Sequence, residues 1–239
     1  MHASLIKTIA LLLAVIAGLI CFQIFSVPPA VIPTLATPAS NQQMRCIIID
    51  AGHGGLDGGA VAADGTEEAD LNLAIALKLQ QILEFSGFKV IMTRTSEQAL
   101  VAENESASIR SQKVADMKAR LALINQYPDA LFVSVHMNAF EGSNHGAQVF
   151  YSPNHENGKL LANLIQTNIV SLLDTNNHRV EKESQEEIYL LKNAQIPAVI
   201  VECGFISNQD DLANLKDEDY QMKMAYTIFA GILQYTLES

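Results

Sequence analysis

Three short apolar runs in this chain each lead into a residue capable of acid–base or ligand chemistry. That pattern restricts the fold more than any other feature. The runs are Cys46–Asp50 (CIIID), Leu131–Val135 with His136 next, and Ala198–Glu202 (AVIVE). Neighbouring residues of a strand point to opposite faces, so a strand that is apolar at consecutive positions must be covered on both sides. A parallel sheet sandwiched between helices meets that condition. Phe88–Thr93, Ala147–Tyr151 and Ile188–Leu191 read as further strands. Between them, Leu71, Leu73, Ala74, Leu77 and Ile82 recur near helical spacing and stop at Gly87. Val114–Tyr127, stopped by Pro128, Gly158–Leu173 and Tyr220–Leu237 are the other helices. The alternation predicts an α/β fold: a single open, mostly parallel twisted sheet of about six strands with helices on both faces and a few antiparallel additions. Thr95–Ser111 is polar and aperiodic, and reads either as a flap beside a site or as an ordinary surface loop.

The hydrophobic fraction of 49% is unevenly spread. Ile9–Val27 contains no charged residue. As a helix it would span ~28 Å, roughly the hydrocarbon thickness of a bilayer. Lys7 and the α-amino group favour an inside N-terminus. Residues 1–27 are therefore expected to form a transmembrane signal-anchor, with a cleaved signal peptide as the alternative. Residues 28–44 follow as a linker holding four of the seven prolines, and residues 45–239 as the folded domain. This organisation places the domain outside the cytoplasmic membrane, anchored to it, or secreted if the segment is removed.

The formal net charge of −11 argues against nucleic acid as a partner, because phosphate recognition needs a basic excess. Three cysteines exclude a disulfide-rich scaffold. Cys46 opens one strand and Cys203 follows the end of another, so in a parallel sheet they lie at opposite edges and are expected to be free thiols.

Chemistry concentrates in Ile47–Gly59 (IIIDAGHGGLDGG). Neither phosphate-loop glycine pattern is present there. One buried strand ends in Asp50 with His53 following, and His53, His136 and Glu202 should converge at the carboxyl ends of three buried strands, where open α/β sheets place their sites. Two histidines and one carboxylate form a common catalytic zinc set. Glu67 or Glu68, at the start of the first helix, would supply the carboxylate. Simpler roles remain open. A strand-end histidine can be a structural hydrogen-bonding residue, first-turn acids suit the helix dipole, and Glu202 can be a solvated strand-end acid. His145, His155 and His178 lie in polar stretches and read as solvated.

Taken together, IIIDAGHGG with DGG, EADLNLAIALKL, MTR, SVHMNA and VECGFISN resemble the zinc-dependent N-acetylmuramoyl-L-alanine amidases, from about Arg45 to Gln234. The resemblance implies Zn2+ held by His53, Glu68 and His136, with Glu202 as the catalytic acid–base. Glu68 rather than Glu67 fits the family pattern E-x-D-[LV]-x-L-A, although Ala69 departs from the usual basic residue. The implied reaction is attack of a metal-activated water on the amide between the lactyl group of N-acetylmuramic acid and L-alanine. Peptidoglycan is then the substrate and residues 45–239 the catalytic amidase domain. The single domain, the anchor and SIRSQKVADMKARLALIN, with Arg110, Lys113, Asp116 and Arg120, resemble the spore-cortex and germination branch. Whether an accessory protein takes part is not legible.

Asp50, Asp57 or Asn138 are candidates to orient the histidines. Arg94 and Arg120 are candidates to reach a stem-peptide carboxylate, with an internal ion pair as the competing role. Rival readings are a cell-wall metallocarboxypeptidase, a thiol hydrolase using Cys203, and a silent wall-binding domain.

Overall fold

The computed structural model describes residues 45–102, 107–140, 144–185 and 188–238. The segments read as anchor and linker lie outside the described residues. Among those described, no helix is long and apolar enough to cross a membrane.

The chain alternates strands and helices: β1 (Cys46–Ala51), α1 (Glu68–Phe85), β2 (Lys89–Met92), α2 (Ile109–Ile124), β3 (Leu131–Asn138), β4 (Gln148–Tyr151), α3 (Asn157–Asn168), β5 (Lys182–Glu183), α4 (Tyr189–Asn193), β6 (Ala198–Phe205), α5 (Gln209–Lys216) and α6 (Glu218–Glu238). One wider π-type turn, Ile169–Leu173, extends α3. The strands form one sheet in the order β2-β1-β3-β6-β4-β5. β2, β1, β3 and β6 run parallel, and β4 pairs antiparallel with β6.

The consecutive apolar strand residues divide between two cores. Ile47, Ile49, Val133, Val199 and Val201 pack on one face with residues of α1, α3 and α6. Ile48, Phe132, Ala198 and Ile200 face the other way, onto α2 and α4. Ile47, Ile48 and Ile49 are all fully buried, as strands covered on both faces require.

Ile188–Leu191, expected as a strand, instead enters the short helix α4. Leu190 and Leu191 both bury into the second core, and a short apolar run carries no period that separates strand from helix. The sixth strand is β5, two exposed residues with no apolar signature. Helix α5 also escaped the apolar pattern. It is short and polar, and is started by Asn208, whose side chain accepts from the Asp210 and Asp211 amides. Helix α2 begins earlier than expected, at Ile109, capped by Ser108.

Candidate metal centre

The site lies where β1, β3 and β6 end. β1 runs into a glycine-rich turn in which His53 takes a left-handed conformation, φ 61°. A non-glycine residue rarely adopts this, so surrounding contacts must hold it. Arg120 supplies one, donating from Nη2 to the His53 carbonyl at 2.6 Å. Two glycines make room for the side chains. A Cβ on Gly52 would overlap the His136 ring, and one on Gly59, at φ +70°, would meet Glu68 and His53.

His53, Glu68 and His136 converge, with one ligand atom from each within 4.8 Å of the others. Glu68 Oε1 is 3.3 Å from His53 Nε2 and 3.0 Å from His136 Nδ1. The carboxylate is held from behind: Oε1 accepts from the Met137 amide, and Oε2 from the Ala60 amide. Asn72, one helical turn after Glu68, donates to Oε1 and to the Gly52 carbonyl. The rings of His53 and His136 meet edge to face at 5.0 Å. Their side chains are 26% and 21% exposed against 5% for Glu68, so the cluster is closed behind and open in front.

The charges are strongly coupled. Burial opposes a charged His53, but hydrogen bonds to Asp57 and Glu68 outweigh it and raise its pKa to about 9. Burial likewise opposes ionisation of Glu68, yet the two histidines hold its pKa well below the usual carboxylate range. Glu202 pairs in register with His136 across β3 and β6. Its Oε2 is buried without a hydrogen-bond partner, and burial pushes the carboxyl up to about 7.

Asp57 joins His53 from the far side, 3.0 Å from Nδ1. Asp50 is engaged away from the histidines. It accepts from Thr93, Ser134 and Arg120. Asn138 contributes its backbone carbonyl to the Ile206 amide. Arg94 donates to the carbonyls of Ala51, Ser96, Gly52 and Ala69. Arg120 binds Asp50, Asp116 and the carbonyls of Ala51 and His53. Both guanidiniums, 5% and 2% exposed, are committed to internal partners. Cys203 is also excluded as a nucleophile. It follows Glu202 on the strand, turns into the first core, is fully buried, and its thiol is raised well above the ordinary range by burial. Cys46 and Cys203 are both free.

A cavity of about 270 Å³ opens beside the histidines. Leu56, Val101, Ile109, Met117 and Tyr189 line it, so the aperiodic stretch before α2 does border the site. Asn72, Thr93 and Ser134 were not singled out from the sequence; for Asn72, the Glu68 to Asn72 spacing on one helix face was the available signal.

Two imidazole nitrogens and a carboxylate turned toward one point, with an orphaned buried carboxylate oxygen beside them, fit a divalent cation of the zinc type. Residues 47–234 match the family described as N-acetylmuramoyl-L-alanine amidase. The chain belongs to that family. A germination-specific N-acetylmuramoyl-L-alanine amidase of Bacillus subtilis is 34% identical over 195 residues, covering 81% of each chain. The CwlD amidase of Clostridioides difficile, in a structure with the GerS lipoprotein, is 42% identical with a TM-score of 0.78, covering 82% of this chain and 100% of that one. The amidase AmiC2 of Nostoc punctiforme is 27% identical, TM-score 0.68, covering 81% and 98%. The chain is thus a cell-wall amidase with relatives in the germination branch.

Proposed function

We propose that the chain is a zinc-dependent hydrolase of the amide between the lactyl group of N-acetylmuramic acid and L-alanine, acting on spore-cortex peptidoglycan. The observation that carries this reading is the meeting of His53 Nε2 and His136 Nδ1 at one Glu68 oxygen, next to the unpartnered Glu202 carboxylate. His53, Glu68 and His136 hold the ion. Bound zinc supplies a Lewis acid that polarises the scissile carbonyl and acidifies water. Glu202 takes the proton of the attacking water at Oε2 and delivers it to the departing L-alanine nitrogen. A buried carboxylate oxygen with no hydrogen-bond partner of its own is free to make both transfers. The cavity between Leu56, Met117 and Tyr189 receives the substrate flank.

The cortex assignment is supported by the germination-specific relative and by the likeness to CwlD. Because that structure pairs CwlD with a lipoprotein, an accessory lipoprotein is the partner class proposed for this chain too. Residues 45–239 act as the catalytic domain, residues 1–27 as the membrane anchor and residues 28–44 as the linker.

The test is digestion of cortex and vegetative peptidoglycan with and without chelator, read by mass spectrometry. Intact stem peptides with a free L-alanine amino group are expected, lost on chelation and restored by zinc. Peptides shortened at the carboxyl end would support the carboxypeptidase reading instead.

A further inference from the structure

The turn that carries His53 is built largely of glycine. It contains Gly52, Gly54, Gly55, Gly58 and Gly59, and His53 sits in a conformation its own backbone disfavours. Its backbone closes on itself through the reciprocal Gly54–Asp57 hydrogen bonds, and three cations brace it from outside. Arg94 and Arg120 bind its backbone carbonyls. Lys113, from the first half of α2, instead binds a side chain: its Nζ lies 2.6 Å from Asp57 Oδ1. The other oxygen of the same carboxylate, Oδ2, lies 3.0 Å from His53 Nδ1. A continuous chain therefore runs from α2 through Lys113 and Asp57 to His53, whose opposite nitrogen, Nε2, faces Glu68.

We infer that Lys113 is a positioning residue for the metal centre, acting through Asp57. The chemistry follows from the atoms. Asp57 can accept a proton-bearing Nδ1 and so fix the His53 tautomer that leaves a lone pair on Nε2. It does so only if its carboxylate plane is held, since a free aspartate rotates about its terminal torsion. The Gly59 amide holds Oδ1 weakly, at 3.2 Å. Lys113 holds the same oxygen by a charge-assisted contact. Lys113 is itself 48% exposed and lies on the α2 face shared with Asp116 and Arg120. It is therefore not needed to fill the core, and its role is separable from folding.

The inference rests on the reading that His53, Glu68 and His136 bind a divalent ion. It is tested in the full chain by zinc affinity, measured by competition against a chromophoric chelator, for wild type, Lys113→Met, Lys113→Arg, Asp57→Asn and the Lys113→Met/Asp57→Asn double variant. Outer partners of metal-bound histidines typically change affinity by roughly 10–100-fold. Asp57→Asn should fall in that range and Lys113→Met should weaken zinc by roughly tenfold or less. Lys113→Arg should recover most of the loss, and the double variant should bind no worse than Asp57→Asn alone. Thermal unfolding of the metal-free variants should show Lys113→Met close to wild type. Unchanged zinc affinity in Lys113→Met, or a full additional loss in the Asp57→Asn background, would overturn the inference alone. A wild-type chain that binds no zinc overturns the metal-centre reading, and this inference with it.

Discussion

His53 stands between two carboxylates, Asp57 and Glu68, and its protonation follows from that placement. With no cation present its pKa is raised to about 9, so at neutral pH the ring carries a proton that a metal must displace. Zinc binding should therefore release a proton, and apparent affinity should weaken about tenfold for each pH unit between 8 and 6. Chelator competition across that range reads it, and a flat profile would contradict the ligand role of His53. The metal-free chain has the linked property. A raised histidine pKa contributes stability that is complete below ~6.5 and lost as pH climbs toward about 9. Glu202 yields a second prediction. Glu202→Gln should keep zinc but lose roughly 10²–10⁴-fold in rate, because the amide cannot relay a proton. Cys203→Ser should leave turnover and zinc dependence intact, since that side chain is sealed in the core. The positions of His53, His136 and Glu202 at one sheet edge were legible in the sequence because each follows or ends a β-branched apolar run that proved to be a buried strand. Asn72 and the Lys113–Asp57 contact were not, because they depend on how a glycine turn folds back onto a helix.

Helix α2 is fastened to the sheet by an ion pair that is almost wholly out of water, Arg120 with Asp50, their side chains 2% and 1% exposed. Burial alone would raise the Asp50 pKa, but Arg120 above all, with His136, Ser134 and Thr93, brings it below its ordinary value. The corresponding stability is present above ~3.9 and lost as pH falls through the depressed native pKa. Arg120→Met leaves that carboxylate buried and unpaired, so it should cost about 3–5 kcal/mol by urea unfolding. It should also loosen the His53 carbonyl, and zinc affinity should fall with stability. A loss under 1 kcal/mol would mean that the pair is replaceable by packing. At this scale the sequence was an uneven guide. The long helices α1 and α6 were readable because apolar residues recur over many turns. Ile188–Leu191 was misread because two adjacent leucines bury equally well from a strand or from a single helical turn. Helix α5 was unreadable from periodicity because only Leu215 in it is buried.

At the scale of the whole chain, the parallel core β2-β1-β3-β6 gathers the candidate ligands at one sheet edge, and the antiparallel β4 closes the flank beside Glu202, with Gln148 in register. This edge carries the chemistry, while the chain as a whole is acidic, at −11. Wall polymers are themselves often anionic, so bulk charge gives the enzyme no attraction to its substrate. Confinement offers another way to raise the local concentration of enzyme and wall, because tethering makes the encounter effectively intramolecular. The uncharged stretch Ile9–Val27 and the proline-rich residues after it have the composition for that role. The full chain should accordingly sediment with membranes and resist extraction by high salt, whereas a chain lacking residues 1–44 should be recovered in the soluble fraction. Cleavage of small soluble muropeptides should be the same in both, because the cluster of His53, Glu68, His136 and Glu202 lies wholly within the described domain. Attack on intact cortex should fall in the truncated chain and recover when an unrelated membrane anchor is fused in place of the native one. Failure of that fusion to restore attack would assign residues 1–44 a role beyond tethering, and a soluble full chain would remove the anchor altogether.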